Sequence, residues 1–218
     1  MRIDLHTHTH RSGDSTTTFE DYADAFLRSG LAYVAVTDHL TIDGALEMQA
    51  LLGDAVIIGQ EMRVAEGELI GLFITERIPP GLTAEKAAGM IRAQQGLVYV
   101  PHPGDALRVS VSLDCLRELC SRDLVDVIEV ANSKVAPDGS IPGAREIATA
   151  HGIAAGAGSD AHVESAIGST YIVAPDLRVD GPDALIRALN SGEVRSTHAD
   201  PPRRWRPRIV PPTVPPPV

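Results

Sequence analysis

Short apolar runs alternate with amphipathic stretches along almost the whole chain. The runs at 3–6, 33–37, 56–59, 69–74, 97–101, 125–130, 153–157 and 171–173 have strand length, and several are continuously apolar, as strands buried on both faces are. Between them the spacing turns helical. Thr18 stands before Phe19, Tyr22, Ala23, Phe26 and Leu27, a cap followed by one apolar stripe. Thr83, with Glu85 and Lys86 after it, opens another helix. Pro142, following Ile141, suits the first position of a third, and residues 183–189 form the last. This alternation predicts an α/β fold of parallel strands joined by crossover helices, as a barrel or a doubly wound sheet.

Composition divides the chain at Pro201. Residues 1–200 make one large domain. Residues 201–218 hold eight of the sixteen prolines, four arginines (Arg203, Arg204, Arg206, Arg208), the only tryptophan and no acid. Such a segment builds neither helix nor central strand and is expected to be a disordered tail, at most a polyproline ligand for a protein partner. The chain as a whole carries 29 acidic against 19 basic residues, a net charge of −10. No stable nucleic-acid partner is expected of so acidic a body, because phosphate backbones are held by Lys and Arg. Cys115 and Cys120 lie five apart in a helical stretch, a spacing that suits neither a zinc knuckle nor a redox pair, and are expected to pack. No apolar leader follows Met1 and no run approaches a membrane span, so a soluble cytoplasmic protein is expected.

The histidines change the picture. His6, His8, His39, His102 and His162 all fall at or just beyond the end of a strand candidate; His10, His151 and His198 do not. In parallel α/β folds that rim is where functional side chains converge. Asp4-Leu5-His6-Thr7-His8 sets two imidazoles on one side of an extended chain, within reach of one cation. Ser159-Asp160-Ala161-His162 repeats the two-residue relation with a carboxylate and an imidazole. Thr37-Asp38-His39, Gly59-Gln60-Glu61 and Val100-Pro101-His102-Pro103 each place an N or O ligand after an apolar run. Together these predict a multinuclear metal site.

The ordered set DLHTHT, TDH, GQE, PHP and GSDAH resembles the PHP (polymerase and histidinol phosphatase) family over residues 3 to about 173. The resemblance implies a distorted (β/α)7 TIM-like barrel with up to three metal ions at its C-terminal rim, and a stand-alone phosphoesterase. One ion would take His6, His8, Glu61 and Asp160, with Glu61 bridging to a second held also by His102 and, where relatives often carry histidine, Glu68. A third would use His39, His162 and Asp14. The loop Ser12-Gly13-Asp14 inverts the usual Ser-Asp-Gly order, which leaves His10 as a competitor for that place. Glu61 and Asp160 would flank the hydroxide that attacks phosphorus.

The ligand types fit that chemistry. Two cations sharing a water lower its pKa and neutralise phosphoryl charge, and a third can stabilise the departing alkoxide. Nitrogen and oxygen donors without thiolate suit zinc, iron(II) or manganese alike. Asp38 reads equally as a residue orienting an imidazole or as a helix cap, and Glu129 as a further ligand or a supporting base. Arg63, Arg108 and Lys134 are candidates to touch phosphate. The short loop 104–111 favours a small, accessible substrate, so phosphomonoesterase action on a small phosphorylated metabolite or nucleotide is expected. The alternatives are a nuclease or phosphodiesterase on short oligonucleotides and a non-catalytic metal-binding module.

Overall fold

The first apolar run extends one residue each way into β1 (Arg2–Thr7), buried from Ile3 onward. A computed structural model describes residues 1–136, 138–175 and 178–197; the tail from 201 lies outside the described residues. After β1 come α1 (Phe19–Ser29), β2 (Tyr33–Val36), α2 (Asp43–Leu52), β3 (Val56–Val64), β4 (Gly67–Leu72), α3 (Ala84–Ala93) and β5 (Leu97–Val100). The chain continues through α4 (Leu113–Ser121), β6 (Val127–Asn132), α5 (Ala144–His151), β7 (Ala154–Gly158), β8 (Thr170–Val173), α6 (Pro182–Asn190) and β9 (Glu193–Ser196). No described helix is long and apolar enough to cross a membrane.

Local chemistry explains most of these boundaries. The hydroxyl of Thr18 accepts from the Asp21 amide and that of Thr83 from the Lys86 amide, so both expected caps form. Ser112 caps α4 in the same way, and Cys120 packs into the core beneath it. Pro142 does not open α5. Gly143, at φ 79°, is the N-cap and the helix begins at Ala144, so the proline belongs to the turn before it. α2 carries no strong amphipathic stripe. Its Gly44 is needed because a Cβ there would stand 1.9 Å from Asp38 Oδ2 and 2.4 Å from Thr9 Oγ1.

The sheet runs β7-β6-β5-β4-β3-β2-β1-β8-β9. Pairs β1–β2, β2–β3, β5–β6 and β6–β7 are parallel, as expected of crossover connections. β4 is antiparallel to both neighbours, contrary to the all-parallel expectation. Only Ala65 and Glu66 separate β3 from β4, too little for a crossover, so the chain turns back as a hairpin. β8 also runs antiparallel, to β1 and to β9. The sheet curls until the turn after β7 meets β1: the Asp160 amide donates to the His6 carbonyl at 2.7 Å, and the His8 amide to Ala161 at 2.9 Å. The result is a nearly closed, distorted barrel of β1–β7.

Ile3, Leu5, Ile57, Ile70, Tyr99 and Val127 share one buried cluster with Leu185 and Leu189 of α6, and a second cluster joins β5 and β6 to α3, α4 and α5. Two bulges interrupt the ladders near one end. Asp4 to Thr7 of β1 spans the same length as Val34 to Val36 of β2, and Glu129 to Ala131 of β6 the same as Gly156 to Ala157 of β7. A bulge re-aims side chains. The first lies where β1 passes from Ile3 and Leu5 to His6 and His8.

At the seam, a Cβ on Gly158 would sit 2.3 Å from His6 Cβ, whereas one on exposed Gly89 of α3 would meet nothing within 4 Å. Gly158→Ala is expected to destabilise the fold by about 1–3 kcal/mol and lower the melting temperature by several degrees, through overpacking. Gly89→Ala is expected to stabilise by up to about 1 kcal/mol, through helix propensity. Thermal unfolding of the two variants checks both signs.

Candidate metal centre

Glu61 stands on β3, almost fully buried, and is the hub of the rim. Its Oε2 lies 3.1 Å from His6 Nε2, 3.3 Å from His8 Nε2 and 3.4 Å from His39 Nδ1. Its Oε1 faces His102 Nε2 at 3.2 Å. Asp160 Oδ1 closes the opposite side, 3.6 Å from His6 Nε2, 3.4 Å from His8 Nε2 and 3.4 Å from His162 Nδ1. Asp14 Oδ2 sits between His39 Nε2 and His162 Nε2, 3.2 Å from each. Glu68 Oε2 stands 3.9 Å from His102 Nε2. The nine residues expected as ligands are therefore gathered in one place.

Each side chain arrives by a different local device. His6 is carried by β1 itself and His8 follows immediately after it. His102 (φ 28°) and Asp160 (φ 51°) have left-handed backbones in the turns after β5 and β7, a conformation that non-glycine residues adopt only where surrounding contacts hold it. Glu61 lies within β3 rather than beyond a strand end, because β3 runs well past the expected 56–59. Glu68 reaches the same rim from the start of β4, since an antiparallel strand begins where its partner ends; it is paired with Arg63. Ser12 braces two imidazoles: its Oγ lies 3.0 Å from His8 Nδ1 and accepts the His39 amide at 3.1 Å.

Several expectations need correcting. His10 does not compete with Asp14: its ring packs on Phe19 and its Nδ1 faces the Thr17 carbonyl. Asp38 neither orients an imidazole nor caps a helix. Its oxygens accept the amide and hydroxyl of Thr9, both at 2.7 Å, which holds the loop after β1, and burial pushes its pKa up to about 7. Gln60 points away and exchanges two hydrogen bonds with the main chain of Ile78. Glu129 stands behind His6, its Oε1 3.2 Å from Nδ1, and does not face the rim. Sequence reading left that role open; an acid inside the continuously buried strand β6 was the available signal.

The cations divide. Lys134 Nζ stands 3.1 Å from Asp160 Oδ1 and Arg108 Nε 3.7 Å from Asp160 Oδ2, while Arg63 is largely exposed with Nε 3.4 Å from Glu68. All three line one open cleft of about 310 Å³ whose floor includes Asp14, His39, Glu61, Glu68, His102, Asp160 and His162.

Proton affinities record the field in this cleft. Burial alone would depress His6, but Glu61 and Asp160 hold its pKa well above the ordinary imidazole value. Burial also opposes the charge on His39, yet Glu61 and Asp14 raise it to about 9. Glu61 and Asp160, which burial would raise, are instead held well below the usual carboxylate range, Glu61 by His6 and His39, Asp160 by Lys134 and His6. Glu68 is raised by burial and by Glu61, and His162 falls to about 4 through burial and the charges of His8 and Lys134.

A divalent cation fits this donor set. The groupings His6/His8/Glu61, His6/His102/Asp160, His39/Glu61/Glu68 and His8/His39/His162 each bring ligand atoms within 4.8 Å of one another. His8 Nε2 is buried between Glu61 and Asp160 yet makes a hydrogen bond with neither. A buried ring nitrogen left so is an unmet cost in a protein and, unprotonated, a ready ligand for a cation. Oxygen and imidazole donors without sulfur suit a borderline or hard divalent ion.

Comparison with known proteins agrees with this architecture. The model of the family described as PHP domain matches residues 4–127, and that described as PHP-associated matches 143–194. Two uncharacterized proteins of Methanocaldococcus jannaschii are similar. MJ0417 is 32% identical over 187 residues, covering 85% of this chain and 75% of its own length. MJ1587 is 40% identical over 116 residues, covering 47% of this chain and 68% of its own length. Among solved structures, a two-domain protein of Bacteroides vulgatus "containing predicted PHP-like metal-dependent phosphoesterase" superposes with a TM-score of 0.70 at 15% identity. That match covers 90% of this chain and 65% of the Bacteroides protein, whose fold it shares. With the family's model matched over more than half of its length, the chain belongs to the PHP family.

Proposed function

We propose that the protein is a metal-dependent phosphoesterase that hydrolyses a small phosphate monoester at a centre of two or three divalent ions. The observation that carries the reading is the placement of Glu61, whose two oxygens face separate imidazoles, with Lys134 and Arg108 beside Asp160 on the wall of the same cleft. A carboxylate so placed can serve two ions at once, and paired ions supply a nucleophile at neutral pH while neutralising charge on a phosphoryl group.

The residues divide into roles. His6, His8, Glu61 and Asp160 would hold one ion; His102, Glu68 and the other oxygen of Glu61 a second; His39, Asp14 and His162 a third. Lys134 and Arg108 would meet phosphoryl oxygens, since a substrate anion entering the cleft competes with Asp160 for them. Arg63, at the outer edge, would contact a more distant part of the ester. The cleft is open and roughly the size of a small phosphorylated metabolite or nucleotide. No partner beyond this substrate is required by the chemistry; a partner for the Pro-rich segment 201–218 stays a separate proposal.

The test is a phosphoester panel on protein reconstituted with zinc, iron(II) or manganese, including a mononucleotide, a bis-phosphorylated nucleotide and a short single strand. Turnover of monoesters is expected, and preference for the single strand would favour a nuclease instead. Full metal occupancy without turnover of any ester would overturn the reading in favour of a binding module. Glu61→Gln is expected to lower metal stoichiometry, measured by elemental analysis, and to abolish turnover. Lys134→Ala is expected to leave stoichiometry unchanged and to cost about 10- to 100-fold in kcat/KM, the loss of one charge-assisted contact.

A further inference from the structure

Glu129 is fully buried on β6, and every polar group around its carboxylate can donate to it. Its Oε1 accepts the Tyr99 hydroxyl at 2.8 Å and lies 3.2 Å from His6 Nδ1. Its Oε2 accepts the His102 amide at 2.6 Å and the Asn132 side-chain amide at 3.0 Å. On the far side of the same two histidines stands Glu61, 3.1 Å from His6 Nε2 and 3.2 Å from His102 Nε2. His6 and His102 thus lie between a front carboxylate that meets their Nε2 atoms and a rear carboxylate that holds them in place.

We propose that Glu129 is the positioning residue of the centre. It keeps the proton of His6 on Nδ1, so that Nε2 offers its lone pair between Glu61 and Asp160. Through its other oxygen it holds the His102 main chain in its left-handed turn, so that one side chain sets two ligands belonging to different ions. The inference rests on reading the rim as a metal centre, and goes beyond it by assigning a residue that touches neither substrate nor ion.

The donor pattern makes the role specific. An amide at this position has one acceptor and one donor end. Its NH₂ cannot take the place of Oε2, where it would confront the His102 N–H and the Asn132 NH₂; Asn132 cannot turn its own amide over, because its Oδ1 accepts the Lys134 amide at 2.9 Å. The NH₂ must therefore take the place of Oε1. Tyr99 can accept there by rotating its hydroxyl, but His6 can accept only by carrying its proton on Nε2, the nitrogen that faces Glu61. A change of one atom, from oxygen to nitrogen, thereby blocks a ligand atom at the front of the ring.

The experiment compares the full-length wild type with Glu129→Gln and Glu129→Asp. Zinc affinity is measured by competition with a chromophoric chelator, and long-range ¹H–¹⁵N spectra of zinc-loaded protein read which nitrogen of His6 carries the proton. The wild type is expected to show His6 protonated at Nδ1 and bound through Nε2. Glu129→Gln is expected to lose that signature and to bind one zinc about 10- to 100-fold more weakly, the usual effect of removing the partner behind a metal-bound histidine, while the ion held by Asp14, His39 and His162 keeps its affinity. Glu129→Asp, still an acceptor but shorter, is expected to retain the Nδ1 proton with an intermediate affinity, and serves should Glu129→Gln fail to fold. Wild-type affinity and an unchanged His6 signature in a folded variant would overturn the proposal, as would a loss of thermal stability with no change in either readout. A wild type that takes up no zinc would instead sink the metal-centre reading itself.

Discussion

The fold is organised around a concentration of charge set at the floor of a cleft and largely withdrawn from water. Glu61, Asp160, His6 and His8 are all buried within a few ångströms of one another. Removing such groups from water costs several kcal/mol each unless they are paired. Protons on the imidazoles meet part of that need, and the field that raises His6 and His39 is the same field that would draw in a divalent ion. The cluster is therefore intelligible as a container for positive charge, and the barrel as the frame that prevents the carboxylates from moving apart.

That frame reaches one layer deeper than the ligands. Asp4 takes the Ser159 amide at 2.9 Å and the Gly168 amide at 3.0 Å, tying β1 to the segments that follow β7. Asp38 ties down the loop after β1 through Thr9, and Ser12 braces His8 and His39. These groups hold main-chain amides, the Thr9 hydroxyl and the Nδ1 side of the His8 ring. Two bulges and two left-handed turns do the remaining aiming, at the points where regular strands would direct side chains elsewhere.

Much of this was legible in the chain because the signals were local. The Thr18 and Thr83 caps act on amides three residues away, and a histidine just past an apolar run marks a strand end whatever the rest of the fold does. Even the inverted loop at Asp14 is resolved by its two equal distances to His39 and His162. What escaped was set by contacts far apart in sequence. α2 carries only a weak apolar stripe and packs through Ala45 and Met48, with Gly44 set close against Asp38. The reversed direction of β4 is the exception, a local two-residue turn at Ala65 and Glu66 that the runs at 56–59 and 69–74 did not reveal because β3 extends to Val64. Asp38 and Glu129 have the same composition as ligands; only their position behind the rim, fixed by long-range packing, tells them apart.

The hairpin of β3 and β4 has a consequence for how the two halves of the centre come together. Glu61 and Glu68 belong to one ribbon, so their separation is settled as soon as a short local loop closes. His6 and Asp160 meet only when the first and last staves of the barrel join, across more than three-quarters of the domain. An ion gripped by both pairs would act as a clasp on the seam. Its binding energy would then be felt most strongly in how often the barrel opens, and least in the hairpin, whose two strands are joined by a short turn.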